Sequence, residues 1–410
     1  MNSHTFHAFG RVFLAESGHP PPDPNVERSS ASYLYTCDVV NYESFCDDFG
    51  PMNLGSIYKF CSALDAGLSS NPAGDIVVCS DQTKPSITNA CFLVGAYMIL
   101  RLRQTPASVQ SKFEPLLPDL PSYRDISPGP QNFDLRLQDC WEALGKGLEL
   151  DWVDFEDGFD YEEYMHYDDP INGDLHVIVP DKLIAMKGPI DLPCGALWRD
   201  TPQGSRDFSP EHCAQVLRDF GVCAVVRLNE PQYATGPFRA AGIAVADMPF
   251  GDCRPPPDDV VAKFLLLAEA APGALAVHCK AGLGRTGTLL GLHLMKSYGL
   301  TARQAMGWLR IVRPGSVIGE QQRYLCAMEP AIARIRARPA AVPPQLAATS
   351  ETGAGDVLGA VEGLWERIRG TVDRRGARAP AAGLEPGAAE ALAAHVGRAA
   401  ERRSEKRCRS

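Results

Sequence analysis

The stretch His278-Cys279-Lys280-Ala281-Gly282-Leu283-Gly284-Arg285-Thr286 constrains the fold more tightly than any other part of the chain. An apolar run at 274–277 leads into it and an apolar helical pattern continues to residue 298, so the segment reads as strand, tight loop and helix in succession. Gly282, Gly284 and Gly287 remove side chains that would keep backbone N–H groups from converging on one point. A helix starting near Thr286 aims its positive end at that point, favouring a thiolate on Cys279 and an anion above it. Arg285 adds a planar fork that matches two oxygens of a phosphate group.

These residue types point to phosphoester hydrolysis through a cysteinyl-phosphate, with Cys279 as nucleophile. Lys280, Ala281, Gly282, Leu283, Gly284 and Arg285 form the expected phosphate cradle. The Thr286 hydroxyl is expected to hydrogen-bond the sulfur and make it a better leaving group. His278 is expected to bond backbone and fix the loop's shape rather than transfer protons. An alkoxide leaves poorly, so a general acid is needed. Asp252 fits, in the proline- and glycine-marked loop Pro249-Phe250-Gly251-Asp252-Cys253-Arg254-Pro255 after a strand at 243–249. Asp258 and Asp259 compete for that role but read better as N-terminal caps of the helix that follows. Asp252 then serves as base on water, which Gln321 or Gln322 positions, although either glutamine also suits a plain helix start. Cys253 reads as a bystander thiol able to pair with Cys279 under oxidation.

A chain of 410 residues with 45% hydrophobic content predicts two or three domains with real cores. Its 13 cysteines are scattered and odd in number, which fits reduced thiols in the cytosol or nucleus rather than a disulfide framework. The most apolar run, at 90–100, is far shorter than a membrane span, so none is expected. Residues 331–410 hold 14 Lys/Arg and 9 Asp/Glu, leaving 26 bases against 41 acids in residues 1–330. An acidic body disfavours nucleic acid and anionic membrane as partners and suits basic peptides.

Two segments repeat. Ile76-Val77-Val78-Cys79, a polar loop and an apolar helix parallel Ala276-Val277-His278-Cys279, its loop and its helix. Six residues after Cys79, however, stands Pro85, and the glycines are missing. The first copy therefore reads as scaffold without the anion trap. Between the copies, residues 151–169 hold nine acids and no Lys or Arg, interleaved with Trp152, Phe155, Phe159, Tyr161, Tyr164 and Tyr167. Six aromatics point to a linker helix packed on both domains, with Glu162, Glu163 and Asp168 lining a substrate groove. The domains expected are a flexible lead at 1–9, a first domain at 10–150, the acidic linker at 151–175, a second domain at 176–337 and a mostly disordered tail at 338–410. Within the tail, 356–372 has one apolar helical face that could dock on a partner.

The residues 278–289 resemble, throughout, the signature of the cell-division-cycle-fourteen branch of dual-specificity protein phosphatases. Arg313-Pro314-Gly315-Ser316, Gly319-x-Gln321-Gln322, Asn172-Gly173-Asp174-Leu175 and Asp48-Phe49-Gly50-Pro51-Met52-Asn53-Leu54-Gly55 carry the resemblance over about residues 10–335. It implies an α/β fold of tandem dual-specificity-phosphatase-like domains, each a central mixed sheet flanked by helices, joined by a linker helix, with only the second domain active. It implies a metal-independent enzyme without cofactors acting on phosphoserine followed by proline and a downstream Lys or Arg, and also on phosphothreonine and phosphotyrosine. Its substrates would be phosphoproteins of cyclin-dependent-kinase type, in cell-cycle or cytokinesis control, in cytoplasm or nucleus, with centrosome, spindle or basal body as implied sites. The chain departs from the family at Met165, where an acid is usual, and at Cys253-Arg254, where Gly-Ser is usual. A lipid phosphatase with a similar loop carries a second basic residue where Leu283 stands, and a non-catalytic phosphopeptide binder would lack Cys279, Arg285 or Asp252.

Overall fold

The computed structural model describes residues 5–16, 31–131, 133–202 and 204–337. The N-terminal half begins with strands β1 (Thr5–Phe9), β2 (Val12–Glu16) and β3 (Ser32–Tyr35), then helices α1 (Thr36–Val39) and α2 (Leu54–Ser70). Strand β4 (Ile76–Ser80) and helices α3 (Lys84–Leu100), α4 (Pro106–Phe113) and α5 (Leu137–Glu149) complete it. Its sheet has the order β1-β2-β4-β3, with β4 parallel to both neighbours. Residues 5–9 correct the expectation of a flexible lead. They pair antiparallel with β2 because Gly10, at φ +47°, turns the chain back within two residues, and Ala8 is buried.

Helix α6 (Tyr161–Asp168) is the linker helix, capped by Asp160, whose carboxylate accepts from Glu163 N at 2.8 Å. The C-terminal half follows with strands β5 (Leu175–Val179), β6 (Leu183–Met186), β7 (Trp198–Asp200) and β8 (Arg206–Phe208), then α7 (Pro210–Asp219). After these come β9 (Val222–Arg227), α8 (Gly236–Ala240), β10 (Ala244–Asp247), α9 (Asp258–Ala270), β11 (Ala274–His278), α10 (Gly284–His293), α11 (Ala302–Val312) and α12 (Glu320–Ala337). The large sheet runs β10-β9-β11-β6-β5, with β11, the strand that leads into Cys279, again parallel to a neighbour on each side. Both sheets are mixed because β1 and β5 join as antiparallel edges.

The repeat is therefore one of topology as well as sequence. In each half a fully buried strand brings the chain to a cysteine at or next to its end and feeds a buried helix through a short loop. The loops differ in how they treat the helix N–H groups. Before α3, the Thr83 hydroxyl accepts from Ser86 N and Pro85 removes another donor, so the first copy caps its helix with its own side chain. Before α10 there is no side-chain cap.

One hydrophobic core runs through both halves. Helices α5 and α11 form the joint, where Gly147 leaves room for Trp308 and Gly307 lets backbone approach Asp139 O. The linker's aromatic side chains pack on each side: Tyr161 stacks on Tyr58 at 4.8 Å between centroids, Trp152 lies 5.3 Å from Trp308, and Tyr164 donates to Val312 O at 2.8 Å. Residues 338–410, including the apolar face at 356–372, lie outside the described residues. No helix among the described residues is long and apolar enough to cross a membrane.

Candidate active site

Strand β11 delivers Cys279 to the C-terminal edge of the large sheet, and the six carbonyls from Cys279 to Gly284 then all find donors in the body of the protein. Cys279 O accepts from His278 Nδ1 at 2.9 Å, Lys280 O from Gly188 N at 3.1 Å, and Ala281 O from Arg313 Nη2 at 2.9 Å. Gly282 O accepts from Arg313 Nε at 2.9 Å, Leu283 O from Gly287 N and Val317 N at 3.0 and 3.3 Å, and Gly284 O from Thr288 Oγ1 at 2.8 Å. In a trans peptide the C=O and the next N–H point to opposite sides. Turning these carbonyls outward therefore turns the N–H groups of residues 280–285 inward, which makes the loop an anion nest. Gly282 takes φ +69°, and a Cβ there would fall 2.0 Å from Met186 O, so only glycine fits.

His278 is held between the loop backbone and Tyr233. Its ring is fully buried, accepts from Tyr233 Oη at Nε2 (2.7 Å) and donates from Nδ1, an arrangement that needs the neutral tautomer. Burial, above all, pulls its pKa down to about 4.

Arg285 lies under the acid loop. Its Nη1 donates to Leu228 O (3.3 Å) and Phe250 O (3.1 Å), and its Nε stands 3.2 Å from Asp252 Oδ1. Asp252, half-exposed, is thus brought to the rim of the nest, with Oδ1 also accepting from Cys253 N at 3.0 Å. Asp258 and Asp259 are not caps: the residue before α9 is Pro257, which offers no side-chain acceptor, and both acids sit in the first helical turn, where they suit the positive helix end. Cys253 adopts φ +55° and is buried; burial first, then the charge of Asp252, push its thiol up to about 12.

Three expected roles change. Thr286 makes no hydrogen bond to Cys279: its hydroxyl is buried without a partner in the first turn of α10. The two glutamines separate. Gln322 is locked, accepting from Arg310 Nη2 at 2.7 Å and donating to Asp125 Oδ2 at 3.1 Å, so both ends of its amide serve the joint between the halves. Gln321 is fully buried too, but its partners differ: its Oε1 accepts from Ile318 N at 3.2 Å and stands 2.9 Å from where a Gly284 Cβ would be, and its Nε2 donates to Arg254 O, in the loop that carries Asp252, at 3.3 Å. Finally, Glu162 and Glu163 are exposed on α6, but Asp168 is 5% exposed and paired with His176 Nε2 at 2.9 Å, because helical spacing turns it to the opposite, inward face.

Sequence reading missed Gly188 and gave Arg313 no role. A Cβ on Gly188 would meet Cys279 O at 2.3 Å, and Arg313, 2% exposed, holds two loop carbonyls. An arginine closing an apolar helical stripe, after Ile311-Val312, was the available signal for the second. Asp125 of the N-terminal half was also missed: it accepts from Gly319 N and Gln322 Nε2 and so anchors the start of α12. No group of His, Cys, Asp or Glu among the described residues is arranged to hold a metal ion.

Comparison with known proteins matches both halves. Residues 10–147 match the family described as dual specificity protein phosphatase, N-terminal half, and residues 201–298 match one described as polymorphic toxin system, DSP-PTPase phosphatase. The human dual specificity protein phosphatase CDC14C is 38% identical over 303 residues, which covers 72% of this chain and 65% of that protein. Human dual specificity protein phosphatase CDC14A is 40% identical over 302 residues, with 72% and 49% covered. The tyrosine-protein phosphatase CDC14 of Saccharomyces cerevisiae is 34% identical over 328 residues, with 77% and 57% covered. The chain thus spans about half to two thirds of the length of these relatives. With tandem α/β halves, a single intact anion nest in the second and this identity across both, the chain belongs to the CDC14 family of dual-specificity phosphatases.

Proposed function

We propose that the chain is a cysteine-dependent dual-specificity protein phosphatase that hydrolyses phosphoserine, and also phosphothreonine and phosphotyrosine, in proline-directed sites followed by a basic residue. On this reading it reverses phosphorylation of the cyclin-dependent-kinase type in cell-cycle or cytokinesis control. The observation that carries the reading is the ring of outward carbonyls around Cys279, closed by Arg285 with Asp252 at its rim.

Cys279 Sγ attacks phosphorus as the bond to the substrate oxygen breaks, and Asp252 gives that oxygen its proton. The inward N–H groups and Arg285 hold the three equatorial oxygens, whose charge they match through the transition state. Water then attacks the cysteinyl-phosphate as the P–S bond breaks and Cys279 leaves as a thiolate, releasing phosphate, while Asp252 takes the water's proton and Gln321 orients the water. Gln321→Ala is accordingly expected to preserve the initial burst of leaving-group release and slow the steady state, read by rapid-mixing kinetics. Gln322→Ala is expected instead to lower stability by about 2 kcal/mol, since it removes one buried hydrogen-bond partner from each of Asp125 and Arg310. Equal effects of the two on burst and melting would remove the distinction.

Substrate choice is the finer part of the proposal. Exposed Glu162 and Glu163 on α6, together with the acidic excess of the body, support a preference for Lys or Arg near the phosphate. A panel of pSer-Pro-x-Lys, pThr-Pro and pTyr peptides and a phosphoinositide at matched concentrations tests it through kcat/KM. The first is expected to be hydrolysed fastest; a preference for the phosphoinositide would sink the protein-phosphatase reading. Glu162→Gln with Glu163→Gln should cut the advantage of the basic peptide about threefold, the scale of two exposed charge pairs.

A further inference from the structure

Arg313 follows α11 and is held on both flanks as tightly as it holds the loop. Its Nε and Nη2 donate to Gly282 O and Ala281 O, each at 2.9 Å. Its Nη1 donates to Asp174 O and to His176 Nδ1, each at 3.0 Å, and Nη2 stands 2.7 Å from Asp174 Oδ1. His176, on β5, meets Asp168 Oδ1 at 2.9 Å through Nε2, and Asp168 Oδ2 lies 3.5 Å from Nδ2 of Asn53, the cap of α2 in the N-terminal half. Asp168, His176 and Arg313 are all nearly inaccessible to solvent.

The chemistry of the donors and acceptors leaves one assignment. A carboxylate only accepts and a guanidinium only donates, so His176 must donate from Nε2 and accept at Nδ1, which is the neutral tautomer. Burial, the first cause, draws its pKa down and keeps it so. The ring then has a single orientation, and through Arg313 Nη1 it fixes the plane of the guanidinium. That plane in turn keeps two carbonyls out and the N–H groups of Gly282 and Leu283 in.

We infer that Asp168, His176 and Arg313 form a buried positioning relay by which the linker helix sets the shape of the phosphate loop. The inference rests on the reading of that loop as a phosphate site. It gives Asp168 a task other than touching substrate, and it makes the geometry of the nest depend on a residue outside both phosphatase-like halves.

The test uses the full chain, with tungstate as an oxyanion probe by calorimetry and p-nitrophenyl phosphate for kcat and KM. His176→Leu and Asp168→Ala are each expected to weaken tungstate binding about tenfold, with a matching fall in kcat/KM, the scale of a small misplacement of binding groups. His176→Gln, whose amide can donate to Asp168 and accept from Arg313, should return tungstate affinity to within about threefold of wild type on the same scale. Residues that merely support the fold would lower Tm and leave the affinity of the folded protein unchanged. Should His176→Leu not fold, Asp168→Ala and His176→Gln carry the comparison. Folded Asp168→Ala that binds tungstate as wild type does would overturn the relay alone. Wild-type protein that binds no tungstate would overturn the phosphate-site reading, and the relay with it.

Discussion

Cys279→Ser is expected to lower turnover of any phosphoester by about 10⁵-fold or more, the scale on which loss of an essential nucleophile falls, while phosphopeptide affinity stays within a few-fold of wild type. The two halves of this expectation come from different atoms. Affinity resides in the inward N–H groups and in Arg285, which the substitution leaves alone, and serine is close to isosteric with cysteine in a site that is 3% exposed. Turnover resides in an ionised nucleophile. A nest and a helix N-terminus stabilise a thiolate readily, but a hydroxyl lies too far from ionisation for the same groups to deprotonate it. Steady-state kinetics with fluorescence anisotropy on a labelled phosphopeptide separate the two. Turnover within tenfold of wild type would remove Cys279 as nucleophile.

Asp252→Asn should cost about 10²–10⁴-fold on phosphoserine peptides, the span of general acid catalysis, and under about tenfold on p-nitrophenyl phosphate, whose leaving group needs little protonation. Asparagine keeps the shape and can still accept from Cys253 N, so the loop has no reason to move. It also withdraws the negative charge that stands 3.2 Å from Arg285 Nε, so KM for a phosphate dianion should fall as kcat falls. Equal losses on both substrates would assign the acid elsewhere.

Much of the site was legible because its residues act in one short stretch or announce themselves by loop chemistry. The cradle from Lys280 to Arg285, the supporting His278 and the approach of Asp252 all follow from local spacing and from glycines that free the backbone. The expectation failed where function depends on which way a helix faces. Asp168 and Glu163 share a helix and a charge, yet one is buried against His176 and the other is exposed, and a run of acids in a linker does not show the turn on which each falls. Gln321 and Gln322 are adjacent and both buried, and only their partners tell them apart: Ile318 and Arg254 for the first, Arg310 and Asp125 for the second. The departure at Cys253 reads differently once its φ of +55° is seen: the position calls for the left-handed conformation glycine takes freely, and here a buried side chain takes it instead.

Helices α5 and α11 meet through Gly147 and Gly307, with Trp308 of the C-terminal half fully buried against the N-terminal half and its Nε1 donating to Ile178 O at 2.9 Å. Cutting the chain between the halves would bare that tryptophan and the apolar wall around it. The first half is then a folding partner of the second, because the interior behind Trp308 is completed by it.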